Sequence, residues 1–85
     1  MEKESLAFLE KLTNCFGPSG FEREALKIVR EYVRPHCDRT AVDKLGSLHF
    51  ERTGSSDSPV VLIPGHVDEV GFVVSGINKQ GFITF

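Results

Sequence analysis

Residues 59–71 read PVVLIPGHVDEVG, and this stretch does most to decide the fold. It begins with the aliphatic, largely β-branched run Pro59–Ile63. A continuous apolar run of this kind is typical of a strand that is buried on both faces of a sheet. We therefore predict a buried strand over residues 59–63, with the polar residues that follow it lying at its C-terminal end.

Two side chains suited to metal chemistry follow this predicted strand. His66 and Asp68 are two residues apart, so an extended backbone places them on the same side, with Val67 pointing into the protein. Ligands of open α/β sheets bind at the C-terminal ends of strands. An imidazole is a good ligand for zinc or cobalt, and its second ring nitrogen needs an oriented acceptor. The pattern therefore indicates that His66 is a ligand and that Asp68 orients its ring. The spacing alone also fits a histidine in a solvent-exposed loop.

Other polar residues near this stretch fit structural roles better. Glu69 alternates away from the pair, which favours a solvated carboxylate or a partner of Lys44. His36 follows a predicted helix end and His49 lies on a predicted strand face, so neither is expected to bind a metal.

Upstream of this stretch, the hydrophobic period is that of helices. It predicts an amphipathic first helix from Glu4 to Phe16, whose apolar face comprises Leu6, Leu9, Leu12 and Phe16, with Phe8 beside them. The Gly-Pro-Ser-Gly break at 17–20 ends it.

A second helix is predicted from Phe21 to Arg34. Ser19 and Glu22 have the spacing of a capping box at its start, and Pro35 stops it. The turn at 17–20 therefore has a structural role as a helix cap, although its tip could also face the functional site.

Beyond these helices, the sequence predicts two pairs of strands. The first pair is a hairpin with its turn at 44–46 and with Leu48 and Phe50 on one face. The second pair is residues 70–74 and 81–85, joined by a loop through 78–81. The last strand ends at Phe85 without a polar tail, which favours part of a larger fold over a complete module.

The composition limits the function classes. The 85 residues are 40% hydrophobic and 26% charged, with a net charge of −2, which is a globular balance. Ten basic residues interleave with twelve acidic ones, so a nucleic-acid partner is not expected. No signal or membrane-spanning run is visible, which leads us to expect no membrane and a cytoplasmic location. Cys15 and Cys37 are expected to be reduced thiols.

Four motifs, in this order along the chain, resemble the start of the glutamyl and deblocking aminopeptidases. This family of dinuclear-metal exopeptidases includes members labelled endoglucanases. The motifs are LTN at 12–14, GPSGFE at 17–22, VDKLGSL at 42–48 and GHVDEVGFVV at 65–74. Two positions depart from the family pattern, because Ser47 replaces the usual Asn and Gly65 the commonest Ala.

The resemblance implies an α/β fold, the N-terminal part of an α/β/α metallopeptidase catalytic domain. Two helices and then mixed-sheet strands would lead into an inserted β-barrel-like domain, with residues 1–74 catalytic and 75–85 starting the insertion. His66 would bind one of two divalent cations, zinc or cobalt. Asp68 would be the catalytic residue that orients the His66 ring. The remaining ligands and the general base would lie downstream.

The function that follows is that of a metallo-aminopeptidase that acts on peptide substrates and forms a homo-oligomer when full length. The 85-residue chain holds only one of the expected ligands, so it should be inactive alone. The alternative is a stand-alone, non-catalytic module that binds a partner by strand-edge pairing.

Overall fold

The computed structural model describes residues 1–85 as two helices followed by short strands. The elements are α1 (Lys3–Thr13), α2 (Arg23–Val33), a 3-10 turn (Arg34–His36), β1 (Arg39–Val42), β2 (Leu48–Glu51), β3 (Gly76–Ile77) and β4 (Ile83–Thr84). This order confirms the predicted α/β class. The strands form two separate antiparallel pairs, β1–β2 and β3–β4, rather than the mixed sheet that was expected. No helix has both the length and the apolar character needed to cross a membrane.

The two helices pack through a different face of α1 from the predicted one. The Phe8 ring stacks on Tyr32 of α2 with centroids 3.9 Å apart. Ser5 Oγ and the Tyr32 hydroxyl are 3.1 Å apart and share a hydrogen bond. Because Tyr32 offers both a ring and a hydroxyl, α1 turns Ser5 and Phe8 towards α2. Leu6 and Leu9 stay exposed, so the predicted apolar face was wrong.

The start of α2 also differs from the prediction. The Phe21 N–H donates to the Pro18 carbonyl at 2.8 Å, and Gly20 has a φ of 86°, as the third position of a type II turn requires. The Glu22 carboxylate accepts the Gly20 N–H at 2.7 Å. The predicted capping box with Ser19 is therefore absent, because Glu22 satisfies a turn amide instead. The helix begins at Arg23 and gives way to the 3-10 turn containing Pro35, which confirms the predicted stop.

The buried centre of the molecule lies where this turn meets α2. Four residues are buried, namely Gly17, Pro18, Ala25 and Ile28. A Cβ added at Gly17 would lie 3.5 Å from the Ala25 Cβ. Small residues on both sides thus let the turn approach the helix closely.

The hairpin of β1 and β2 is confirmed, with Arg39 opposite Glu51 and Val42 opposite Leu48. Its turn is organised by Asp43, whose Oδ1 accepts the N–H groups of Leu45 and Ser47, both at 2.9 Å. As predicted, Leu48 shares the half-buried face of β2 with Phe50.

Two predicted strands are absent. Residues 59–63 and 70–74 are irregular and exposed, with Val60 and Ile63 each 88% exposed. A strand exists only where a neighbour takes up its backbone hydrogen bonds, and neither antiparallel pair extends to these segments. The C-terminal hairpin is present, but its first strand is β3, immediately before the 78–81 loop, instead of 70–74.

We expect Ala25→Leu to destabilise the helix pair by about 1–3 kcal/mol, because the larger side chain would overpack the contact between α2 and Gly17. The matched control is Ala7→Leu, at an exposed position of α1, which should change stability by less than about 0.5 kcal/mol. Urea denaturation followed by far-UV circular dichroism measures both. Equal stabilities for the two variants would contradict the assignment of Ala25 to the core.

We expect the β1–β2 hairpin to weaken at acidic pH. Hydrogen bonds from the His49 ring and from the Ser47 and Leu45 amides lower the pKa of Asp43 from its ordinary value of 3.8. Stability from a lowered pKa is present above the ordinary value and is lost as pH falls through the lowered one. The Leu45 and Ser47 amide signals, followed by NMR from about pH 6 to about pH 2, should report this loss. The Asp43→Asn variant should lose this pH-dependent change of the two amide signals, and the control Asp57→Asn should retain it. A change that survives Asp43→Asn would contradict its assignment to Asp43.

Candidate metal centre

The segment that carries the predicted metal ligand is anchored to the turn between the helices. The Glu69 N–H donates to the Gly17 carbonyl at 2.9 Å, and Pro18 and Glu69 form an isolated parallel bridge. The anchor therefore lies next in sequence to Asp68.

The two predicted site residues lie together. His66 Nδ1 is 2.9 Å from the Asp68 Oδ1, and Val67 between them is half-buried. This is the arrangement expected from side-chain alternation. Since Nδ1–H donates to the carboxylate, the hydrogen bond selects the tautomer in which Nε2 keeps its lone pair. The His66 side chain is 86% exposed, so Nε2 is accessible.

A small cavity of about 220 Å³ adjoins this pair. It lies between the C-terminal end of α1 and the site segment, and its lining includes Leu12, Cys15 and Gly17 as well as His66 and Asp68. Pockets that enclose a small ligand span roughly 300–1,000 Å³. The described residues therefore form one side of a site rather than an enclosed substrate pocket.

A larger cavity of about 450 Å³ lies away from the pair, beside Phe16 and Phe21, with Arg23 and Lys27 at its edge. It contains no histidine, and its only carboxylate is that of Glu24. Its composition does not favour metal chemistry, so the smaller cavity is the better candidate despite its size.

The donor atoms beside this cavity are enough for only part of a metal site. No group of three or more His, Cys, Asp or Glu side chains is placed to hold an ion, whereas a stable zinc site takes about four ligands. Cys15 is a free thiol that donates to the Leu12 carbonyl at 3.0 Å, and Cys37 is also free. Glu69 is exposed and forms no ion pair with Lys44. His66 is thus the available imidazole beside this cavity.

A second imidazole–carboxylate pair was not predicted from the sequence. His49 Nε2 lies 3.1 Å from Asp43 Oδ2 in the β1–β2 hairpin. The six-residue separation gave no direct signal, but the register of the hairpin brings the two side chains together. Because Asp43 also accepts two turn amides, this pair is explained by the turn. His36 lies near the Tyr32 ring, with centroids 6.3 Å apart, and is likewise not part of the candidate site.

Comparisons with known proteins place this site in context. The sequence model of the M42 glutamyl aminopeptidase family matches residues 46–85. The structure is similar to the crystal structure of a TET aminopeptidase from the marine sediment archaeon Thaumarchaeota archaeon SCGC AB-539-E09. The TM-score is 0.86, with 49% sequence identity over 96% of this chain and 23% of that chain.

Two curated relatives show the same similarity. A provisionally named aminopeptidase of Acetivibrio thermocellus is 31% identical over 99% of this chain and 25% of its own length. The lysyl aminopeptidase of Pyrococcus furiosus is 29% identical over 88% of this chain and 21% of its own length. The chain thus spans about a quarter of the length of these relatives.

We expect the neutral His66 ring to carry its proton on Nδ1. Long-range ¹H–¹⁵N NMR at about pH 9, where an ordinary imidazole is neutral, distinguishes the two tautomers. Asp68→Ala removes the acceptor and should shift the ring towards the Nε2–H form, whereas the control Asp57→Ala should not. An Nε2–H ring in the unmodified chain would contradict the hydrogen-bond assignment.

Proposed function

Because the chain belongs to the M42 glutamyl aminopeptidase family, we propose that it is the N-terminal part of a metal-dependent aminopeptidase. The enzyme would hydrolyse the N-terminal peptide bond of peptide substrates. The observation that carries this proposal is the His66–Asp68 hydrogen bond, which lies within the region matched by the family. The structural likeness over 96% of the chain supports it further.

Within this proposal, each member of the pair has a distinct role. His66 would hold one divalent cation through Nε2, since Nδ1 is engaged by Asp68. Asp68 would fix the tautomer and the ring orientation and increase the basicity of the ligand. The metal centre would lower the pKa of a bound water and polarise the scissile carbonyl.

The proposed reaction needs more groups than these 85 residues provide. A single imidazole with a supporting carboxylate holds an ion weakly, because a catalytic site needs about three protein ligands. The general base and the other ligands of a two-cation site would come from the three quarters of the relatives' length that this chain does not span. We therefore propose that the isolated chain has no peptidase activity.

An imidazole ligand suits zinc or cobalt, and we propose one of these as the metal. Two free thiols are consistent with a reducing compartment, hence a cytoplasmic location. We also propose that residues 75–85, which hold β3 and β4, begin the inserted β domain after a catalytic part at 1–74. The full-length enzyme would be a homo-oligomer.

A chimera tests the proposal. The chain would replace the matching segment of the TET aminopeptidase, and hydrolysis of aminoacyl-p-nitroanilides would be measured with added zinc or cobalt. We expect the chimera to be active and the isolated chain to be inactive. In the chimera, His66→Ala should abolish hydrolysis, and Asp68→Ala should weaken metal affinity by roughly 10–100-fold.

Two histidine variants provide the controls. His36→Ala and His49→Ala remove imidazoles that lie outside the candidate centre and should leave the chimera's activity intact. Full activity after His66→Ala would overturn the assignment of the ligand. An inactive chimera, together with a monomeric isolated chain that pairs with a partner strand, would instead favour the strand-edge binding module.

A further inference from the structure

We propose that Pro18 and Gly71 form a close contact that positions the His66–Asp68 pair, which makes the turn between the helices part of the support of the metal site. Its catalytic meaning rests on the proposed function. The contact itself is a property of this chain and can be tested without a metal or a substrate.

The first observation concerns the space at Gly71. A Cβ added there would lie 2.8 Å from the Pro18 Cβ and 3.2 Å from its Cγ. Gly71 does not have a positive φ, unlike Gly20, Gly46 and Gly81. Its backbone conformation therefore tolerates a side chain, and it is the proximity of Pro18 that requires a glycine.

The second observation is that Pro18 cannot easily move away. It is buried, its ring is rigid, and its carbonyl accepts the Phe21 N–H at 2.8 Å. The preceding Gly17 lies close to Ala25 of α2. A methyl group at residue 71 would therefore displace the site segment rather than the turn.

The third observation links this displacement to the pair. Glu69 lies between Gly71 and Asp68, and its N–H donates to Gly17 at 2.9 Å. To reach an ordinary contact of 3.4 Å, the added methyl would have to move by about 0.6 Å. Functional groups need to be held within about 0.5 Å of their working geometry. A shift of this size would strain the Glu69 hydrogen bond and with it the backbone that brings His66 and Asp68 together.

The experiment compares two glycines in the same segment. Gly71→Ala introduces the clash. Gly65→Ala is the matched control, because a Cβ there has no atom within 4 Å and the residue has no positive φ. Pro18→Gly and the double variant Pro18→Gly/Gly71→Ala test whether space regained at Pro18 accommodates the new methyl group.

Two NMR readouts in the 85-residue chain separate positioning from general stability, and far-UV circular dichroism monitors folding. Gly71→Ala should accelerate hydrogen exchange of the Glu69 amide by about fivefold, the equivalent of one ordinary hydrogen bond. It should also shift the His66 ring from the Nδ1–H towards the Nε2–H tautomer. Gly65→Ala should do neither, and the double variant should return both readouts to those of Pro18→Gly alone.

The outcomes decide the proposal in either direction. Unchanged exchange and tautomer in Gly71→Ala would overturn it, and so would an effect of Gly71→Ala that is as large in the Pro18→Gly background as in the unmodified chain. If Gly71→Ala fails to fold, recovery of both readouts in the double variant supports the contact, and failure to recover overturns it. Neither readout requires a cation or hydrolysis. An inactive chimera would therefore count only against the proposed function if Gly71→Ala changed the Glu69 exchange and the His66 tautomer as expected.

Discussion

The hydrogen bond from the Glu69 amide to the Gly17 carbonyl is the interaction on which the position of the candidate metal site depends. It joins two segments that are some fifty residues apart in sequence, and it lies beside the small buried centre formed by the turn and α2. On one side of it, Ala25 lets the turn sit close to the helix. On the other side, Asp68 directly precedes Glu69 in the chain and accepts a hydrogen bond from the His66 ring. His66, the candidate metal ligand, is thus three residues in sequence from Glu69, whose amide bonds to the buried Gly17.

The features that the sequence predicted well are those determined by neighbouring residues. The β1–β2 hairpin depends on a turn in which Asp43 and Gly46 act within five residues of each other. The pairing of His66 with Asp68 depends on alternation over three residues. Local rules of this kind operate whatever the rest of the chain does, which explains why both predictions agree with the structure.

The capping box failed for a local reason, because the Glu22 carboxylate accepts the Gly20 amide. The other predictions that failed depend on residues far away in the sequence. The orientation of α1 is set by Tyr32, which lies 27 residues beyond Ser5. The strand predicted at 59–63 requires a neighbour that none of the observed strands supplies. The hydrogen bond between Gly17 and Glu69 corresponds to no periodic pattern in the sequence. The one residue type related to it is the glycine at position 71, whose backbone conformation does not require a glycine. Hydrophobic periodicity identifies elements but not their partners, and the supporting contacts of this site lie between elements.

The stacked pair of Phe8 and Tyr32 has a spectroscopic consequence. Tyr32 is the single tyrosine of a chain that has no tryptophan. Its ring lies parallel to Phe8, at an interplanar angle of 11°, and its hydroxyl bonds to Ser5. Tyrosine absorption and fluorescence therefore arise from one chromophore at the junction of the two helices. The native chain therefore carries its own optical probe of the pairing of the two helices.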